Sequence, residues 1–208
     1  MEVYISIDGV LRNFLQKFAH HYEEYYLESD AEGDDFDYRI TPPIENDNIL
    51  SHFSFQSREE LNYFLFDEFV LEIFGYAGVS YPTAVSNLNK VIFDNNDVNF
   101  TIVGLDEMGK AKSSTLFFLS KNGFIGNTIK FIESKNIKKE WKKCDIWITD
   151  NKSIIDACPK KVTQKFRRKK ITVKFNTEYN NYFTNPIEIN DLTEINKLCS
   201  KSLENTII

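Results

Sequence analysis

The segment Val3-Tyr4-Ile5-Ser6-Ile7-Asp8-Gly9-Val10 constrains the fold more than any other stretch of this chain. An apolar run ends in a small polar loop, and Leu11, Phe14, Leu15 and Phe18 then follow at i, i+3, i+4 and i+7. The run has the character of a buried strand, and the stripe marks one face of an amphipathic helix leaving the loop. Strand, loop and helix are therefore consecutive. Ser6 and Asp8 lie two residues apart, and side chains at i and i+2 of an extended chain point the same way, so both are expected to face one reacting centre.

The same alternation resumes later. The apolar run Phe100 to Val103 precedes a helix over Ser113–Lys121 that ends at Asn122-Gly123, and a strand is expected over Ile129–Ile132. Cys144 to Thr149 forms another run closed by Asp150-Asn151. A final strand over Ile171–Phe175 precedes the Tyr179-Asn180 turn, and a short helix spans about Leu192 to Leu203. Strands alternating with helices predict an α/β fold, a Rossmann-like parallel sheet flanked by helices. Between Tyr22 and about Val91 the text differs: an acidic stretch from Asp30 to Asp37, then Thr41-Pro42-Pro43, then an aromatic-rich helical segment from Glu59 to Gly75. This reads as an inserted helical cap, giving a core of residues 1–20 and 95–208 and a cap of residues 21–94.

Open parallel sheets bind ligands at the carboxyl ends of their strands. Ser6 and Asp8 fall there after the first strand, Gly104 and Asp106 after the second, and Asp150 after the fourth. The net charge of −6 gives no support for nucleic acid or an anionic membrane as partner. The basic text from Lys160 to Lys174 reads as a solvated connector and not a nucleic-acid patch, because it lacks interleaved aromatics beyond Phe166. No run of eighteen apolar residues occurs and no basic leader precedes the first strand, so the expectation is a soluble, cytoplasmic protein. Cys144, Cys158 and Cys199 are odd in number and fit no Cys-x-x-Cys spacing, which points to reduced thiols. The aromatic cap residues Tyr63, Phe64, Phe66, Phe69 and Phe74 could stack a nucleobase, but at helical spacing they are more often a core or an interface.

Ser6-x-Asp8-Gly9-Val10 resembles the first motif of the haloacid dehalogenase-like (HAD) phosphohydrolases, Asp-x-Asp-Gly-Val/Thr, with Ser6 in place of the attacking Asp. The layout is closest to the 5'(3')-deoxyribonucleotidase branch, and it also resembles phage-encoded proteins of the superfamily. Phosphoester chemistry in this architecture needs a carboxylate nucleophile, a second carboxylic acid, a lysine facing the phosphoryl charge, and Mg2+ held by acidic oxygens. The resemblance assigns Asp8 to the general acid/base, Lys112 to the motif lysine with Lys110 as substitute, and Asp8 and Asp150 to the metal. Thr149 occupies the place of a second metal-binding acid, and Gly104 that of a phosphate-binding Ser or Thr.

Two of these departures, Ser6 and Gly104, weaken the site, and the first weakens it twice. A serine hydroxyl without an adjacent base is a poor nucleophile, and it is a weak, neutral ligand for Mg2+. The resemblance therefore implies a catalytically degenerate HAD-like domain, phage-encoded and acting as a structural or interaction protein in the host cytoplasm or the virion. Its expected partners are phage structural proteins or a second copy of itself. The alternatives are a Mg2+-dependent phosphohydrolase acting on nucleotides or other phosphomonoesters, and a nucleotide-binding regulator.

Overall fold

The computed structural model describes residues 1–27, 52–126, 128–158 and 170–204. Six strands, β1 (Glu2–Ser6), β2 (Asn99–Leu105), β3 (Ile129–Ile132), β4 (Ile146–Thr149), β5 (Ile171–Phe175) and β6 (Glu188–Ile189), form one sheet in the order β3-β2-β1-β4-β5-β6. Every pairing is parallel. The helices are α1 (Phe14–Leu27), α2 (Arg58–Tyr63), α3 (Val70–Phe74), α4 (Ala84–Asp94), α5 (Lys112–Lys121), α6 (Ile137–Trp141), α7 (Lys152–Ala157) and α8 (Ile195–Glu204), with a π-helical turn over Phe64–Glu68 between α2 and α3. Among the described residues no helix is long and apolar enough to cross a membrane.

β1 is central because both of its faces are apolar. Val3, Ile5 and Ile7 point into a cluster that includes Leu88 and Val91 of α4, Phe118 of α5, and Leu192 and Ile195 near α8. Tyr4 points the other way, into a cluster with Trp147, Ile137, Trp141 and Ile154. A strand buried on both sides is what a parallel sheet covered by helices demands. Cys144, Cys158 and Cys199 are buried free thiols, and burial raises the pKa of each.

The aromatic segment builds a second cluster. Phe18 and Tyr22 of α1 pack with Phe53, Phe64, Phe66 and Phe74, so these rings are largely each other's core. The cap is continuous with the sheet layer: α4, which the sequence places in the insertion, sends Leu88 and Val91 into the cluster around β1. Ser57 caps α2 by accepting from the Glu60 N–H at 3.1 Å. The π-helical turn shows in the Phe69 N–H donating to the Phe64 carbonyl five residues back, at 3.0 Å.

β2 is longer than its apolar run suggested, so Gly104 lies inside the strand, paired with Phe131, and not after it. The acidic stretch from Asp30 to Asp37, Thr41-Pro42-Pro43, and most of the basic text, Lys160 to Lys169, lie outside the described residues.

Candidate functional site

The loop after β1 is closed by its own backbone. The N–H groups of Leu11 and Arg12 both donate to the Ile7 carbonyl, at 2.9 and 3.0 Å, and the Gly9 N–H donates to the Arg12 carbonyl at 2.8 Å. This fold-back requires φ = +71° at Gly9, a conformation that glycine adopts without steric cost. Glycine is needed there for a second reason: a Cβ at residue 9 would stand 1.7 Å from Oδ2 of Asp150. The loop therefore brings the backbone of Gly9 hard against the carboxylate that follows β4.

Asp150 is positioned from both sides. Its carbonyl accepts from Asn180 Nδ2 at 3.2 Å, and the same amide group donates to the Phe175 carbonyl at 2.8 Å, so the turn after β5 holds the end of β4. Downstream, Asn151 Oδ1 accepts from the Ile154 N–H at 3.2 Å and starts α7. Burial, and then the negative charge of Asp8, push the Asp150 carboxyl up to about 7. Asp8 and Asp150 both line a cleft of about 1010 Å³ between sheet and cap, whose walls include Phe14, Phe66, Phe74, Tyr81, Phe175 and Tyr179. His52, from the cap segment, also lines this cleft.

The remaining expected site residues go elsewhere. Ser6 is 6 % exposed, and its hydroxyl accepts from the Trp147 indole N–H at 3.2 Å; it is not among the residues lining the cleft. The expectation that Ser6 and Asp8 share one centre is not met, because the strand ends at Ser6 and the chain folds back from Ile7, so that Ser6 meets Trp147 while Asp8 lines the cleft. Lys112 opens α5, with its ammonium 5.8 Å from the centre of the Phe131 ring, in a separate groove of about 580 Å³ shared with Asp106 and Met108. Lys110 donates from its ammonium to Asp67 of the cap at 2.5 Å, while its backbone N–H donates to Asp106 at 3.2 Å. Gly104 is a packing position: a Cβ there would meet Ile7 and Phe131 at 3.3 Å. Neither lysine lines the cleft with Asp8 and Asp150, and Gly104 does not either.

The residue that pairs with Asp8 is Arg12, which is not itself among those lining the cleft. It is 1 % exposed, its Nε donates to Asp8 Oδ1 at 2.7 Å, and its Nη1 donates to the Phe74 carbonyl at 2.6 Å and to Thr115 Oγ1 at 3.0 Å. The guanidinium carbon lies 4.9 Å from the Phe74 ring centre and 5.5 Å from that of Phe118. A buried arginine is tolerated when its charge is paired and its N–H groups are satisfied. One sequence signal existed: Arg12 interrupts an otherwise apolar pattern at Val10, Leu11, Phe14 and Leu15, four residues after the carboxylate it pairs with.

The donor set does not fit Mg2+. One oxygen of Asp8 is held by Arg12, the Ser6 hydroxyl is turned to Trp147, and the Thr149 hydroxyl accepts from the Asn151 N–H at 3.1 Å. Among the described residues no group of three or more His, Cys, Asp or Glu is placed to hold a metal ion. What is present is a pair of carboxyls facing an aromatic-walled cleft, one neutralised by a guanidinium and the other inclined to keep its proton.

No protein family matches the sequence, and no curated protein matches it. Solved structures do match its shape. One from Burkholderia xenovorans LB400, described as a haloacid dehalogenase-like hydrolase, superposes with a TM-score of 0.54 at 10% identity, over 97% of each chain. A haloacid dehalogenase-like family hydrolase from Xanthomonas campestris superposes with a TM-score of 0.53 at 9% identity, over 98% of this chain and 96% of that one. At such identities the likeness is one of architecture, and it agrees with the parallel sheet flanked by helices. The chain has the fold of the haloacid dehalogenase-like hydrolases.

Proposed function

We propose that this chain is a HAD-like domain that has lost phosphatase chemistry and acts by binding, with its cleft as the recognition surface. The observation that carries the reading is the pair of hydrogen bonds that withdraw the expected machinery: Trp147 to Ser6, and Arg12 to Asp8. A nucleophile must reach its electrophile, and Ser6 is buried against Trp147, outside the cleft lining. A transferring phosphoryl group also needs positive charge aimed at its oxygens. Here the two lysines that the resemblance offers are not in the cleft: Lys112 lies in another groove and Lys110 is paired with Asp67.

The binding role follows from what the fold retains. A fold can keep its value through its surface after its chemistry is gone. The partner class that the resemblance implies is a phage structural protein or a second copy of the chain, and co-purification with capsid or tail components tests it. The test of the central claim is turnover. Purified protein with Mg2+ is expected to leave p-nitrophenyl phosphate and deoxynucleoside monophosphates intact, and Asp8→Asn is expected to change nothing. Clear wild-type turnover abolished by Asp8→Asn would overturn the reading in favour of a nucleotidase-like phosphohydrolase, which the shared placement of Asp8 and Asp150 favours. Calorimetric binding of deoxynucleoside monophosphates without turnover would mark a nucleotide-binding regulator.

A further inference from the structure

We propose that Arg12 is the resident cation of this site: its guanidinium supplies at Asp8 the positive charge that the resemblance assigns to magnesium, so that the cleft is metal-independent. The proposal stands apart from the loss of turnover, since a cleft without metal could in principle be active or inert.

Three features distinguish Arg12 from an arginine that lies near a carboxylate by chance. The first is permanence. A guanidinium stays charged at every pH a folded protein meets, so the charge at Asp8 is always compensated. The second is anchoring. Asp8 belongs to the β1 loop, Phe74 to α3 of the cap, and Thr115 to α5, and the guanidinium bonds to all three. The rings of Phe74 and Phe118 lie against it as well. To vacate Asp8 for an ion, the side chain would break bonds to three separate elements, leaving the Phe74 carbonyl and the Thr115 hydroxyl without their buried donor. The third is like-charge exclusion. A divalent ion on the second oxygen of Asp8 would share one carboxylate with a guanidinium already 2.7 Å from the first, in a site where burial weakens solvent screening.

The arrangement also explains the fate of the other metal positions. With charge at Asp8 compensated from within the protein, nothing calls for a further anionic oxygen at residue 6 or residue 149. Both are hydroxyls whose oxygens accept from protein donors, Trp147 and the Asn151 N–H. Arg12 is here a positioning residue, acting through Asp8 and the cap.

The test is the melting temperature of the full chain in EDTA and in millimolar MgCl2, for wild type, Asp8→Asn, Arg12→Met, Arg12→Lys and the Arg12→Met/Asp8→Asn double variant. Wild type is expected to melt at the same temperature in both. Arg12→Met, which leaves the Asp8 carboxylate uncompensated beside Asp150, is expected to gain a saturable rise of about 3 °C in MgCl2, because a ligand that binds the folded state raises its melting point. The double variant loses that rise, and Arg12→Lys, which keeps a cation facing Asp8, does not acquire it. Saturable stabilisation of wild type by MgCl2 that Asp8→Asn removes would overturn the proposal. So would a folded Arg12→Met that ignores MgCl2, or an Arg12→Lys that responds to it. If Arg12→Met does not fold, the wild-type, Asp8→Asn and Arg12→Lys measurements still decide.

Discussion

Replacing Gly9 by alanine tests the geometry that joins the β1 loop to Asp150, and the size of the effect follows from two separate strains. The φ of +71° places residue 9 in the left-handed region, where an L side chain costs about 1 kcal/mol. The new Cβ would also stand 1.7 Å from Oδ2, 2.0 Å from Cγ and 2.6 Å from Oδ1 of Asp150, far inside any allowed contact. The carboxylate must swing out, because the Asp150 backbone is held by Asn180 and by its place at the end of a buried strand. An enforced off-rotamer side chain and a small shift of the loop add about 1–2 kcal/mol. The total is about 2–3 kcal/mol, and the two parts can be separated. In an Asp150→Ala background the second strain has no partner, so Gly9→Ala is expected to cost only about 1 kcal/mol there. Urea denaturation of the four proteins at one pH gives the cycle. Equal costs of Gly9→Ala in the two backgrounds would refute the packing of Gly9 on Asp150, and with it the claim that the loop and β4 converge on one site.

The raised Asp150 carboxyl makes stability depend on pH with a definite sign. Its folded pKa of about 7 lies above the unfolded value of 3.8, so the folded state holds the proton more tightly; the resulting stability is fully present below about pH 4 and is lost as pH rises through 7. Asp150→Asn should remove that decline, leaving the variant more stable than wild type near pH 8 by on the order of 2 kcal/mol, a figure reduced for the open cleft; chemical denaturation from pH 4 to pH 8 checks it, and parallel curves would contradict it. Ser6→Ala orphans the buried Trp147 indole N–H, for a loss of about 1–3 kcal/mol, whereas Ser6→Asp is expected to lower the melting temperature further and to restore no turnover of p-nitrophenyl phosphate. Lys110→Ala removes a half-exposed ion pair with Asp67 and should shift stability by less than about 1 kcal/mol, with a larger loss arguing that this bond fixes the cap.

Five of the six strands were legible because each is an apolar run bounded by turn residues, and Ile129–Ile132 and Ile171–Phe175 fall where the pattern places them; β6, two residues long and beyond the strand read as final, was not. The π-helical turn at Phe64–Glu68 was not, since a fivefold hydrogen-bond step leaves no mark in an aromatic-rich segment that also suits an ordinary helix. In the site, Asp8 and Asp150 were readable from their places at strand ends, because the sheet dictates where strand ends meet. Lys112 was misplaced for the opposite reason: distance along a chain does not say which way a residue at the start of a helix will face, and its side chain lies over Phe131 on the far side of β2. Arg12 escaped notice because a lone arginine near a helix start ordinarily lies in solvent, and only the three-dimensional meeting of Asp8, Phe74 and Thr115 explains its burial.

The outer strands of the sheet bear on how this domain can meet a neighbour. β6 is two residues long, and β3 is four residues long and carries Lys130, whose ammonium reaches across to Tyr4 at 2.5 Å. An edge so short or so charged gives an incoming chain few backbone groups to pair with, a common safeguard against sheets growing from one molecule into the next. Association by strand addition is thereby discouraged at both rims. A partner, whether another copy or a different protein, is left to read side chains: the aromatic cleft mouth and the exposed helix faces, where recognition can be selective and reversible.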